Sequence, residues 1–169
     1  MIQGVICGKG GQGVITLNAM IGTLAANMGI PAVSAETHGM AMRGGSVATY
    51  IKIGECLSAA VAEGSADFII SLTKDEALRN INYIKKDGVL IVDTEQPFDI
   101  SGVKIFSLPA SDIAERDFGG KIYGGQVLLG IFLGCFDGID TKKALEILKT
   151  APKISIAAIE YGVEYAQTH

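Results

Sequence analysis

Two short stretches of this 169-residue chain combine residue types that can act on a ligand. The first is Gly8-Lys9-Gly10-Gly11-Gln12-Gly13, in which Gly8, Gly10 and Gly13 satisfy a G-x-G-x-x-G spacing. Glycines at these intervals allow a tight bend, close approach of a ligand to the backbone, and close packing of helix on strand. Amides left free at the start of the following helix favour an anion, a phosphate above all. Gln12 adds a side-chain amide able to donate or accept at a ligand or a facing subunit. A Walker A loop is excluded, since no Gly-Lys-Ser/Thr follows at the required distance. The alternative is that the glycines only permit a sharp strand-to-helix turn.

The second stretch, Glu36-Thr37-His38-Gly39-Met40-Ala41-Met42-Arg43-Gly44-Gly45, brings together a carboxylate, an imidazole and a guanidinium before a pair of glycines. Glu36 is placed to bind a ribose hydroxyl, as an acidic residue does after the second strand of dinucleotide enzymes. Arg43 offers a bidentate fork to a carboxylate or phosphate. His38 can exchange protons near neutral pH or simply hydrogen-bond. The plainer reading is a Glu36–Arg43 ion pair fastening the loop, with His38 satisfied by backbone. Neither stretch supplies a convincing general acid, base or nucleophile. Cys7, Cys56 and Cys135 lie too far apart in sequence to suggest a metal or iron–sulfur ligand cluster.

Both stretches need elements to hold them. Ile2–Cys7 is an apolar run suited to a buried strand. From Val14 to Met28 the residues Leu17, Met20, Ile21, Leu24 and Met28 recur at helical spacing, and Gly29 and Pro31 end the helix. Ala32–Ala35 predicts a second strand stopping at Glu36, with Thr37–Gly45 as a loop. A strand, helix and strand in this order point to parallel strands joined by a crossover helix. Both loops then emerge at the carboxyl edge of the sheet, where open α/β sheets bind ligands.

Further along, Ser46–Ile53 and Asp67–Leu72 read as strands. Thr73 and Glu76 have the form of a capping box, opening a helix that carries Ala77, Leu78, Ile81 and Ile84 and ends at Gly88. Strands at Val89–Val92 and Val103–Leu108 follow, with a short helix at Ser111–Arg116 between the last of them and an apolar segment, Ile122–Phe136. That segment is apolar on nearly all sides, so it is either buried centrally or lies under a partner. Helices at Thr141–Lys149 and Ile154–Ala166 close the chain. The expected fold is α/β: a Rossmann-like, doubly wound, mostly parallel sheet in a single domain spanning 1–169.

Composition narrows the functional classes. Hydrophobic residues make up 49% and charged residues 19%, enough apolar surface for a folded core. A net charge of -4 with scattered basic residues gives no footprint for nucleic acid. The odd cysteine count and the lack of a charged, then hydrophobic leader predict a cytoplasmic protein. The longest apolar run is about half of the roughly 20 residues that span a bilayer, which predicts no membrane association.

The two loops together resemble the gamma domain of the pyruvate/ketoisovalerate (2-oxoacid):ferredoxin oxidoreductases. The resemblance is carried by Gly8–Val14 and by Glu36–Val47, and extends to Ala66-Asp67, Asp75-Glu76-Ala77 and Leu128-Leu129-Gly130. The His38-Gly39-Met40…Arg43-Gly44-Gly45-Ser46-Val47 form is most similar to the beta subunit of indolepyruvate ferredoxin oxidoreductase. Gln126 stands where relatives commonly carry asparagine. The resemblance implies a subunit in the CoA-dependent oxidative decarboxylation of a 2-oxoacid, with electrons passing to ferredoxin. It implies thiamine diphosphate, magnesium and iron–sulfur clusters on partner chains, including a large thiamine-binding subunit, and CoA as co-substrate. Such a chain would not be active alone. Two other readings stay open: a free-standing NAD- or FAD-binding Rossmann protein, and a non-catalytic assembly module.

Overall fold

The computed structural model describes residues 1–38, 44–136 and 138–169, with His38 described in its backbone alone. Six strands form one sheet: β1 (Ile2–Lys9), β2 (Ala32–His38), β3 (Ser46–Ile53), β4 (Ala66–Ser71), β5 (Ile84–Asp93) and β6 (Lys104–Leu108). Their order across the sheet is β2-β3-β1-β4-β5-β6. Strands β1, β4, β5 and β6 pair in parallel, whereas β3 runs antiparallel to both β1 and β2. Strand β2 therefore points the same way as β1, as the strand–helix–strand opening predicts, but β3 lies between them.

Register explains the core. One row crosses the whole sheet through Glu36, Thr49, Ile6, Ile70, Ile91 and Phe106. Its apolar members bury against helices α1 (Val14–Asn27), α3 (Ala110–Phe118), α4 (Gly124–Cys135), α5 (Thr141–Leu148) and α6 (Ile156–Thr168). Val5, Cys7, Ile69, Leu90 and Val92 point to the other face. That side is covered by the short helix α2 (Lys74–Arg79) and by chain carrying Val61, Tyr83, Phe98 and Ile100. Central strands buried on both faces read as unbroken apolar runs, which is why Ile2–Cys7 was legible.

Element boundaries depart from the sequence expectation in several places. Thr37 and His38 belong to strand β2, because pairing to β3 continues through Thr37–Ala48 and His38–Val47. The helix expected to run to Gly88 stops at Arg79, is followed by a 3-10 turn over Ile81–Tyr83, and gives way to strand β5 from Ile84. Ile81 and Ile84 sit three apart, a spacing a helix would use, but parallel pairing of Ile84 with Ala66 takes the segment into the sheet. The short helix expected at Ser111–Arg116 extends at both ends to Ala110–Phe118.

Helix α4 is apolar all round because it is central. Val127, Leu128, Leu129 and Ile131 are fully buried, and Phe132 lies 4.7 Å from the Phe68 ring centroid. Helix α6 crosses it where two glycines meet. A methyl group on Gly130 would lie 2.0 Å from the Ile159 carbonyl oxygen, and one on Gly162 would lie 2.0 Å from that of Val127. Among the described residues no helix is long and apolar enough to cross a membrane.

Candidate paired-loop site

The glycine loop leaves the carboxyl end of β1 and delivers the chain into α1. Gly11 and Gly13 hold φ of 90° and 94°, a backbone region that side-chain-bearing residues rarely enter. Gly13 is the N-cap of α1, with no side-chain cap and no acidic residue in the first turn. The first amides of the helix thus have no intrahelical acceptor. Gly8 is held to glycine by packing, since a methyl there would lie 2.9 Å from Val14 Cγ2 and 3.0 Å from Leu72 Cβ. Gln12 folds back on its own loop: its Oε1 accepts from the Lys9 backbone amide at 2.7 Å, while the Gln12 backbone N–H donates to the Lys9 carbonyl at 3.1 Å. That reciprocal pair sets the shape of the turn.

The second loop returns to the same place. The Gly10 amide donates to the Gly45 carbonyl at 2.8 Å, and a methyl on Gly10 would lie 3.3 Å from the Gly44 nitrogen. Gly8, Gly10, Gly11, Gln12, Gly13, Gly44 and Gly45 are thereby joined at one edge. Glu36 lies within β2, opposite Thr49, on the α1 face of the sheet. Gly39 and Arg43 lie outside the described residues, as does the side chain of His38.

Immediately after the glycine pair, Ser46 opens β3 and is gripped from α2. Its hydroxyl donates to Glu76 Oε1 at 2.8 Å and accepts from Arg79 Nη1 at 3.2 Å. Arg79 Nε stands 3.8 Å from the same carboxylate oxygen. The capping box is half made: Thr73 Oγ1 accepts from the Glu76 amide at 3.3 Å, but the Glu76 carboxylate is directed at Ser46. Beneath it the Cys7 thiol donates to the Glu76 carbonyl at 3.5 Å, and burial pushes its pKa up to about 12. A thiol so held is not a nucleophile at neutral pH.

On the opposite flank of the glycine loop lies a cavity of about 510 Å³, floored by Leu17 and Leu72 and edged by Gln12, Ser111, Lys121 and Lys153. Lys121 faces two carboxylates, Asp112 and Glu115, each at 3.4 Å. Asp93, at the end of β5, accepts from both the amide and the hydroxyl of Ser111, while desolvation raises its pKa. Gln126 is buried; it donates to the Lys153 carbonyl at 2.9 Å and accepts from the Ser155 amide at 2.7 Å. These groups come from strand β5, helices α1, α3 and α4, the glycine loop and the turns around Lys121 and Lys153, with no shared motif. The only sequence signal was a lone glutamine in an apolar helix.

Comparison with known proteins follows the same lines. The sequence model of the pyruvate ferredoxin/flavodoxin oxidoreductase family matches residues 3–165. Indolepyruvate oxidoreductase subunit IorB of Thermococcus kodakarensis is 41% identical over 124 residues, covering 69% of this chain and 61% of the relative. IorB of Archaeoglobus fulgidus is 41% identical over 92 residues, 54% of this chain and 46% of the relative. The matched chain thus spans about half to three fifths of these relatives. The 2-oxoglutarate synthase subunit KorC of Methanothermobacter thermautotrophicus is 27% identical, over 85% of this chain and 81% of its own length. Among solved structures, the gamma subunit of a keto/oxoacid ferredoxin oxidoreductase from Geobacter sulfurreducens shares the fold. It superposes with a TM-score of 0.83 over 100% of both chains, at 22% identity. This chain belongs to the pyruvate ferredoxin/flavodoxin oxidoreductase family.

Proposed function

We propose that the chain is the small subunit of a thiamine diphosphate- and CoA-dependent 2-oxoacid:ferredoxin oxidoreductase. Its paired loops face a large thiamine-bearing partner and help to close the active site. The observation that carries this reading is the Gly10–Gly45 hydrogen bond, which joins the two family-resembling loops into one edge. Unpaired amides at the start of α1, with the Arg43 guanidinium, offer a surface for the phosphate-rich end of CoA. Gln12 and His38 are secondary contacts. The IorB relatives favour indolepyruvate as the 2-oxoacid.

Among the described residues no three His, Cys, Asp or Glu side chains gather as a metal site would need. On this reading magnesium, thiamine diphosphate and iron–sulfur clusters belong to partner chains, as the family resemblance implies. Thiamine diphosphate, when bound there, supplies the carbanion chemistry. This chain's own residues would bind and orient the anionic co-substrate and exclude water.

The dinucleotide reading meets a geometric obstacle. Glu36 sits on a strand two places from β1, roughly 10 Å away at ordinary strand spacing, where the dinucleotide fold uses the adjacent strand. The assembly-module reading drew on an apolar helix that is buried inside the chain itself.

Purification from the native source tests the proposal. A larger chain carrying thiamine and iron–sulfur should accompany this one, and CoA-dependent ferredoxin reduction by a 2-oxoacid should need both. Full activity of the large chain alone would overturn the reading.

A further inference from the structure

We infer that Glu76 is a positioning residue for the paired loops, acting through Ser46. The inference rests on the loop role proposed above. Among the described residues Glu76 is the only buried carboxylate, and burying a carboxylate is costly unless its hydrogen bonds are specific. Its place at the third position of α2 would let it reach back to the Thr73 amide in a capping box. That amide instead faces Ser71 Oγ at 3.5 Å, and the carboxylate holds Ser46 at 2.8 Å.

The choice of Ser46 has a physical reason. At the junction of the loops stand Gly10, Gly11, Gly44 and Gly45, none of which has a side chain to anchor. Backbone rich in glycine loses the most freedom on ordering, so a lone Gly10–Gly45 hydrogen bond holds it weakly. Ser46 is the first residue after the glycine pair with a side chain, and it is paired with Lys9 across the β1–β3 ladder. Glu76 accepts from its hydroxyl while Arg79 donates to it, so the junction is fixed from α2 on the side away from the cavity. Glu76 touches no ligand in this scheme; it sets the register in which Gly10 and Gly45 meet and the two loops share one edge.

The test uses the reconstituted complex with four forms of this chain: Ser46→Ala, Glu76→Gln, Glu76→Ala and the Ser46→Ala/Glu76→Ala pair. Ser46→Ala strips the buried Glu76 carboxylate of its hydroxyl donor, so the unfolding midpoint should fall. The folded complex should show KM for CoA raised on the order of tenfold, with kcat little changed. Glu76→Ala should match it, Glu76→Gln, which keeps an acceptor oxygen, should fall between, and the pair should be no worse than either single change. A second readout needs no turnover: hydrogen exchange at the Gly10 amide, which donates to the Gly45 carbonyl, should quicken in Ser46→Ala. An unchanged KM in Ser46→Ala beside a raised KM in Arg43→Ala overturns the inference and leaves the proposed function standing. Unchanged KM in both removes the loop role and the inference together.

Discussion

The Gly10 amide and the Gly45 carbonyl meet at 2.8 Å, one step beyond the last paired residues of β1 and β3, Lys9 and Ser46. Two loops separated by more than twenty residues of sequence thus share one backbone contact. Gly10→Ala would set a methyl 3.3 Å from the Gly44 nitrogen, so that backbone must give by a few tenths of an ångström and the contact loosens. Stability should fall by only about 1 kcal/mol. Amide exchange at positions 10 and 11 should speed up, as hydrogen-exchange mass spectrometry would read.

Helices α4 and α6 depend on two other glycines for a different reason. Gly130→Ala drives a methyl to 2.0 Å from the Ile159 carbonyl oxygen, backbone against backbone, with no side chain able to give way. A loss of about 3 kcal/mol or more is expected in urea titration. Gly22→Ala is the control: it lies mid-helix in α1 with open space around it, and should stabilise by roughly 0.4–1 kcal/mol.

Gln126 holds the turn before α6 by both ends of its amide. Gln126→Leu leaves the Lys153 carbonyl and the Ser155 amide without that partner and should cost roughly 1–3 kcal/mol. Gln126→Asn, one methylene shorter, should fall between leucine and the native residue. Equilibrium unfolding of the three forms ranks them.

Cys7 gives a pH signature. Burial lifts its pKa from the ordinary 9.0 to about 12, so between those values the unfolded chain releases a proton that the folded chain keeps. Its contribution to stability is therefore full below pH 9 and lost progressively as pH rises through that window. At pH 8 iodoacetamide should label the partly exposed Cys56 and spare Cys7 until the chain is unfolded. Mass mapping of the labelled cysteines reads both outcomes.

Local pattern carried much of this structure. Leu17, Ile21 and Leu24 announce α1, and they are buried where their spacing places them. The β-branched alternation of Val47, Thr49, Ile51 and Ile53 announces β3. Its position between β1 and β2 was not legible, because strand order is set by contacts far apart in sequence. The step from α2 into β5 is not legible locally, since Ile81 and Ile84 keep a helical spacing that parallel pairing with β4 overrides. At the site, spacing alone indicated the glycine loop. Glu76 has the spacing of a helix cap, and nothing local to Thr73–Glu76 reveals that Ser46, thirty residues earlier, competes for its carboxylate.

The central claim is that the two loops bind one anion on behalf of a partner's active site. Steady-state kinetics of the reconstituted complex carrying Arg43→Ala address it most directly. The account predicts that kcat/KM for CoA falls about tenfold or more, while the subunit's unfolding midpoint stays where it was. Kinetics indistinguishable from the native complex would contradict it.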